Sequence, residues 1–298
     1  MKIASFEIAD PMPEISNPRA IAILKPWVDV GNVGTIALNA LEKHMGSKEL
    51  GRIGRPGTFI DFTRTRPEIR IVEEQRIVMT PNTIINYAHH DGTDEDFLFL
   101  HLLEPHSMAE DYIDSIAEVL NHFNIRDYCR IGGMYDAVPH TRPLLITGSI
   151  DDKYSDEVRN MVSNRGQKYQ GPTSIMSNLT QLLEDDEIPT SMLMAHLPHY
   201  APVEDDHLGA SRLMEVLCAM YDLSNELISS GDSNQQYEAI SRLIAGDGDA
   251  QRQIRRLEAE YDQAIEADRM NSPNIDISPG VEDFLREMSQ RLDKPTNE

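Results

Sequence analysis

The sequence predicts an α/β fold: a mostly parallel sheet with an antiparallel section, packed against helices, and a small helical domain at the C-terminal end. Three observations carry this. A short apolar run closed by proline (AIAILKP, 20–26) is followed at once by a helix-period segment, the order of a parallel βα unit. The same order returns at 96–123 and again at 191–222. Strand signals then stop near residue 223, and helical stretches alternate with the breaks SSGDS, GDGD and NSPN.

Taken in order, 20–26 reads as a buried strand and 29–45 as a loop opening a helix. Val33, Ile36, Ala37, Ala40, Leu41 and Met45 share one face of that helix. Residues 69–90 alternate apolar and polar around Pro81-Asn82, which predicts antiparallel strands turning there. The stretch 96–103 (DFLFLHLL) is a strand. The stretch 107–123 is a helix capped by Ser107, with Glu110 in capping-box position. Strands follow at 127–134, ending in Gly132-Gly133, and at 143–150. A helix at 173–186, a strand at 191–197 and a helix at 206–222 complete the α/β region. Ile254, Leu257, Tyr261 and Ile265 form one stripe of a helix over 249–269. The expected organisation is a core domain over 1–222 and a helical appendage over 223–298, with a disordered tail ending KPTNE. A chain of 298 residues exceeds the usual single domain of about 100–150.

Charge narrows the function classes. The chain carries 50 Asp and Glu against 27 Lys and Arg, a net charge of −23. Such a surface repels phosphate backbones and anionic lipid, so neither nucleic acid nor membrane is an expected partner. Aromatics are 6% of residues, so the core must rest on Leu, Ile, Val and Met. The two cysteines, Cys129 and Cys218, form no CxxC, as in a reducing compartment. No apolar run approaches the roughly 20 residues of a membrane helix. The N-terminal residues MKIASFEIADPMPEI are acidic where a signal peptide is basic then apolar. A cytoplasmic location is expected.

Parallel sheets place ligand sites at the carboxyl ends of their strands. There this sequence puts Trp27, Asp29 and Asn32, then Glu104, then His140 and Arg142, then His199 and Tyr200. With Arg66 these are the candidate ligand-binding residues. In an enzyme, Arg142 would clamp an anion, His140 or His199 would act as acid and base, and Asp29 would orient. The competing reading is that polar loops gather at any sheet edge, Pro-His and Arg-Pro stiffen turns, and the histidines cap carbonyls.

Standard constellations fail. Gly51, Gly54 and Gly57 lack GxGxxG spacing and sit in what reads as a basic turn, and Ser149 lacks the second glycine of a nucleophile elbow. His89 and His90 adjoin an acidic run, but neighbouring histidines on a strand face opposite ways. Asp247, Asp249 and Glu258 match three calcium-loop positions, yet Arg252 stands where glycine is needed, leaving coincidence or helix capping. No metal and no cofactor is expected.

Four ordered blocks carry a resemblance. KPWVDVGNVGTIALNAL (25–41), FIDFTRTRPEI (59–69, an apolar-Asp-Phe strand closed by Arg-Pro), VPHTRP (138–143) and LPHYAP (197–202) resemble the proteasome assembly chaperone 2 family over about 18–222, in its bacterial long-chain form. The resemblance implies a three-layer α/β/α sandwich similar to nucleoside phosphorylases, a C-terminal helical extension, and a homo-oligomer, a trimer being favoured. The eukaryotic namesake assembles the proteasome α-ring, and archaeal relatives dock through a C-terminal hydrophobic–Tyr–any tripeptide. This chain ends Thr296-Asn297-Glu298, so docking by that route is not expected. The first functional expectation is therefore an oligomeric protein-binding or assembly scaffold. The second, from another class, is a small-molecule-binding, hydrolase-like or phosphorylase-like enzyme using the polar edge.

Overall fold

The computed structural model describes residues 1–163, 171–228 and 233–271. The segment KPTNE lies outside them. The chain divides into two compact units, residues 1–258 and 259–298.

Eleven strands are described: β1 (Lys2–Ile3), β2 (Phe6–Ile8), β3 (Arg19–Lys25), β4 (Lys48–Ile53), β5 (Glu68–Val72), β6 (Gln75–Met79), β7 (Ile84–His89), β8 (Asp96–Leu103), β9 (Asp127–Asp136), β10 (Ile146–Ser149) and β11 (Thr190–Pro198). Nine of them form one sheet in the order β1-β2-β4-β7-β8-β3-β9-β11-β10, while β5 and β6 form a separate hairpin. The centre, β8-β3-β9-β11, is parallel, and the flanks are antiparallel. Ala20 to Leu24 of β3 are all buried, which is why this strand reads as a continuous apolar run.

Helices cover both faces, giving three layers. On one face α1 (Val33–Met45) and α5 (His207–Tyr221) pack on Ile21, Ile23, Ile131, Leu193 and Ala195. On the other, α2 (Ala109–His122) and α4 (Ile175–Asp185) pack on Ala20, Ala22, Leu98, Leu100 and Tyr128. The short α3 (Asp156–Arg159) lies before α4 in the chain. After α5 come α6 (Ser233–Ile244) and α7 (Gly248–Asn271). Asp206 caps α5 by accepting from the Gly209 N–H at 2.8 Å. Asp247 accepts from the N–H groups of Asp249 and Ala250, so it caps α7. Capping thus accounts for Asp247, while Asp249 and Glu258 pair elsewhere, with Arg252 and with Thr141 and Arg142.

At the amino end of the sheet a buried charge cluster holds β3, β8 and β9 together. Asp127, 3% exposed, receives Arg19 and Lys153, each at 2.7 Å, and Arg19 also pairs with Glu95 at 2.8 Å. Here burial is offset by matched opposite charges.

Four local expectations are corrected. The 69–90 segment turns at Glu73-Glu74, where both residues have positive φ, and not at Pro81-Asn82. Its last strand, β7, joins the large sheet against β8. Ser107 does not cap α2. Its hydroxyl donates to the Thr58 carbonyl, and the N-cap is Met108 in the left-handed region. Residues 59–62 form no strand: a short 3₁₀ turn at Pro56–Thr58 leads into a loop that buries Phe59 and Ile60. Gly51 lies inside β4, not in a turn, and a Cβ there would stand 2.7 Å from the Glu7 carbonyl of neighbouring β2.

Candidate functional site

Beyond the paired stretch of β3 and β9, the chain leaving β3 crosses over β9. The Gly133 N–H donates to the Val28 carbonyl at 2.8 Å, and a Cβ on Gly132 would meet that carbonyl at 2.3 Å. Only glycine lets the 26–30 loop lie this close. The topology reverses here: β8 and β9 flank β3 on opposite sides, the place where such sheets bind ligands.

Next to this crossing lies a cleft of about 1370 Å³. Strand periodicity decides its floor. Arg130 and Met134 of β9 share one sheet face with Met192, Met194 and His196 of β11, while Ile131, Leu193 and Ala195 face the opposite core. Thr147 and Ser149 of β10 extend the floor, Trp27 and Val28 form one rim, and Ser174, Met176 and Ser177 at the start of α4 form another. Trp27, Met134 and Tyr135 are exposed apolar side chains at its mouth.

Two polar features stand in this Met-rich floor. His196 bonds Asp136 Oδ2 through Nδ1 and Thr147 Oγ1 through Nε2, both at 2.7 Å. The carboxylate accepts from the Nδ1–H, so in the neutral imidazole the threonine hydroxyl donates to Nε2. Arg130 is different. Its Nη1 donates to Ser177 Oγ at 3.1 Å, but its buried Nε has no partner. No carboxylate lies within ion-pair distance of it among the described residues, and burial pulls its pKa down.

The candidates read from the sequence occupy several places. Trp27 lines the cleft. Asp29, 7% exposed, sits under the start of α1 and accepts from the Gly34 N–H at 2.9 Å, the Thr35 N–H at 3.3 Å and the Thr35 hydroxyl at 2.5 Å. Asn32 donates to the Glu204 carbonyl and to Asp205, joining two loops. Arg66 is exposed in the loop before β5. Glu104 has one buried oxygen without a partner; burial raises its pKa, and an N–H···O bond from Ile175 opposes that.

His140, Arg142, His199 and Tyr200 do come together, from the β9–β10 and β11–α5 loops. The Tyr200 hydroxyl accepts from the His140 backbone N–H at 2.8 Å and donates to its Nδ1 at 2.7 Å, leaving the Nε2 proton for Ser241 Oγ of α6 at 2.9 Å. Burial lowers the His140 pKa, so this ring is neutral near pH 7. Arg142 pairs with Glu258 at 3.2 Å, and Thr141 bonds the same carboxylate. His199 is exposed and bonds the Asp136 carbonyl through Nδ1 at 3.0 Å. The result is a brace between loops and α6–α7 that adjoins the cleft at Asp136, while its own His140, Arg142, His199 and Tyr200 do not line the floor.

Arg130 and the Met192–Met194 pair were not singled out by sequence reasoning. The available signal was an arginine inside the otherwise apolar strand DYCRIGG, beside the alternating methionines of SMLMAHL. Among the described residues no group of three or more His, Cys, Asp or Glu side chains is placed to hold a metal ion, and no helix is long and apolar enough to cross a membrane.

The fold and the cleft define a class: a three-layer α/β protein with an open cleft at the switch point of its sheet. The particular family follows from comparison. The model of the PAC2 family matches residues 23–245, most of the chain, and the protein belongs to that family. No curated protein matches the chain. Among solved structures, a protein of unknown function from Corynebacterium glutamicum is similar at 20% identity and TM-score 0.75, over 88% of this chain and 98% of that one. A PAC2 family protein from Streptomyces avermitilis is similar at 20% identity and TM-score 0.66, over 78% and 96%. A proteasome-assembly chaperone homologue from Mycobacterium tuberculosis is similar at 22% identity and TM-score 0.65, over 77% and 95%. At these identities the likeness is one of fold.

Proposed function

We propose that this chain is a self-associating, protein-binding scaffold of the proteasome-assembly-chaperone type, working in the cytoplasm, with three subunits as the favoured number. The observation that carries the reading is the β5–β6 hairpin. Every residue of both strands is exposed. Ile69, Ile71 and Val78 stand on one face, with Ile71 78% exposed, while Val72, Ile77 and Met79 stand on the other. A two-stranded hairpin with neither face covered by the described residues is marginal in water, so a cover is expected.

Charge favours a second copy of the chain as that cover. The segment 64–76 carries Arg64, Arg66, Arg70 and Arg76 against Glu68, Glu73 and Glu74, a small positive excess on a protein of net charge −23. Arg66 and Arg76 have no acid partner among the described residues, and another subunit's acidic surface supplies one. Relatives named proteasome-assembly chaperone homologues support an assembly role. So does the brace, because His140 and Asp29 already bond within the chain. In this reading residues 1–222 are the platform and 223–298 a helical appendage available to a partner protein; no strand follows β11 among the described residues.

The test is the paired change Ile71→Asp with Val78→Asp, which charges one face of the hairpin. Sedimentation should show an oligomer for the wild type and a monomer for the variant, with the same far-UV circular dichroism. A variant that keeps the wild-type mass would remove the hairpin from the interface.

A further inference from the structure

Arg130 is a cation at the floor of a cleft with no carboxylate in ion-pair reach among the described residues; Glu184 acts on it only from farther away. Its Nε is buried and unbonded, and its single hydrogen bond goes to a neutral serine hydroxyl at 3.1 Å. A half-buried guanidinium whose buried Nε is left unbonded is costly unless something pairs with it. His196, the other basic side chain of the floor, does not offer itself: it is bonded at both ring nitrogens, to Asp136 and Thr147. The surroundings of Arg130 are methionine, with Met192 its direct neighbour on β11 and Met194 one pleat further on. Trp27, Met134 and Tyr135 add exposed apolar surface at the mouth. At about 1370 Å³ the cleft exceeds the roughly 300–1,000 Å³ of a small-molecule pocket, so an oxyanion at Arg130 fills only part of it.

We propose that the cleft binds an amphipathic organic anion, its carboxylate or phosphate oxygens on Arg130 and its apolar body on Met192, Met194, Met134 and Trp27. The guanidinium supplies the fork that oxyanions take in paired hydrogen bonds. The methionines supply a deformable wall that accepts chains or rings of differing outline. Selectivity follows from the two ends together. A bare anion lacks the apolar contact, and a neutral apolar molecule leaves the guanidinium unpaired. The site is independent of the hairpin and of the self-association proposed above, so either assignment can fail without the other.

Titration calorimetry and thermal melts on the full chain test it, using octanoate and octyl phosphate as probes, with inorganic phosphate and octanol as the two half-ligands. The expected result is saturable binding of at least one octyl anion, at least tenfold tighter than phosphate or octanol, with a higher melting temperature. Carboxylate and phosphate heads are distinguished by which probe binds tighter. Arg130→Met should lower that affinity at least tenfold while leaving the unliganded melting temperature unchanged or raised, because it removes an unpaired charge. Met192→Glu should also block binding, since it places a carboxylate beside Arg130. Failure of both octyl anions to bind the wild type would overturn the proposal. So would octanol binding as tightly as octanoate, or unchanged octyl-anion binding in both variants.

Discussion

Replacing Asp29 with alanine should destabilise the protein well beyond an ordinary surface change. Asp29 lies three residues before Asn32, the N-cap of α1, which sits in the left-handed region and makes no side-chain cap of its own. The Asp29 carboxylate does that work instead, accepting from two backbone N–H groups and one hydroxyl of Gly34 and Thr35. It also sets a negative charge at the positive end of the helix. Alanine leaves the buried Gly34 N–H without an acceptor, a penalty of about 1–3 kcal/mol, and removes a cap worth about 0.5–2 kcal/mol. Allowing for partial rehydration at Thr35, the net loss is roughly 2–4 kcal/mol. At about 2–4 °C per kcal/mol for a chain of this size, the melting temperature falls by roughly 4–16 °C. Urea denaturation of the unliganded protein gives the free energy directly. Asp29→Asn, which keeps an acceptor for the helix, should recover much of the loss. An alanine variant within 0.5 kcal/mol of wild type would refute the capping argument and return Asp29 to the pool of functional candidates.

Two further perturbations follow from buried polar groups. Asp127→Ala strands Arg19 and Lys153 at the amino end of the sheet and should cost about 3–5 kcal/mol in urea denaturation; a loss under 1 kcal/mol would mean the cluster is hydrated. His140 is held neutral by burial, its folded pKa lying below the unfolded value of about 6.5. The unfolded chain therefore binds more protons, so this contribution to stability is intact above about pH 6.5 and declines as pH falls from there toward the folded pKa. His140→Gln should flatten that acid-side slope relative to wild type, and parallel stability–pH curves would contradict the assignment.

How far the sequence reaches can be seen in particular elements. The strand limits 96–103 coincide with β8, and 20–26 and 191–197 fall within a residue or so of β3 and β11. β3 and β8 are buried on both faces, so their apolar runs are unbroken, and in β11 the half-buried cleft side is itself supplied by Met192 and Met194. β4 was not legible because KELGRI is buried along part of its length only and presents two large apolar residues. The Glu73-Glu74 turn carries none of the Asn or Gly that usually marks positive φ. Ser107 was misread because a capping pattern records which residues are present, and not that Thr58 competes for the hydroxyl.

The same limit governs the site. Loops at the carboxyl edge did bring His140, Arg142 and Tyr200 together, since topology alone puts them there. Whether they enclose a ligand or bond one another depends on packing from α6 and α7, which local pattern does not encode. Arg130 escaped notice for a related reason. Its meaning comes from Met192 and Ser177, residues 62 and 47 positions away in the chain, and from the absence of an acid within ion-pair distance among the described residues.

The central claim is self-association through a hairpin that the described residues leave exposed. Sedimentation equilibrium of the wild-type protein over a hundredfold concentration range tests it most directly. The account predicts a mass that is a multiple of 33.7 kDa, three subunits being favoured, holding to low concentration. A mass of 33.7 kDa at every concentration would contradict it.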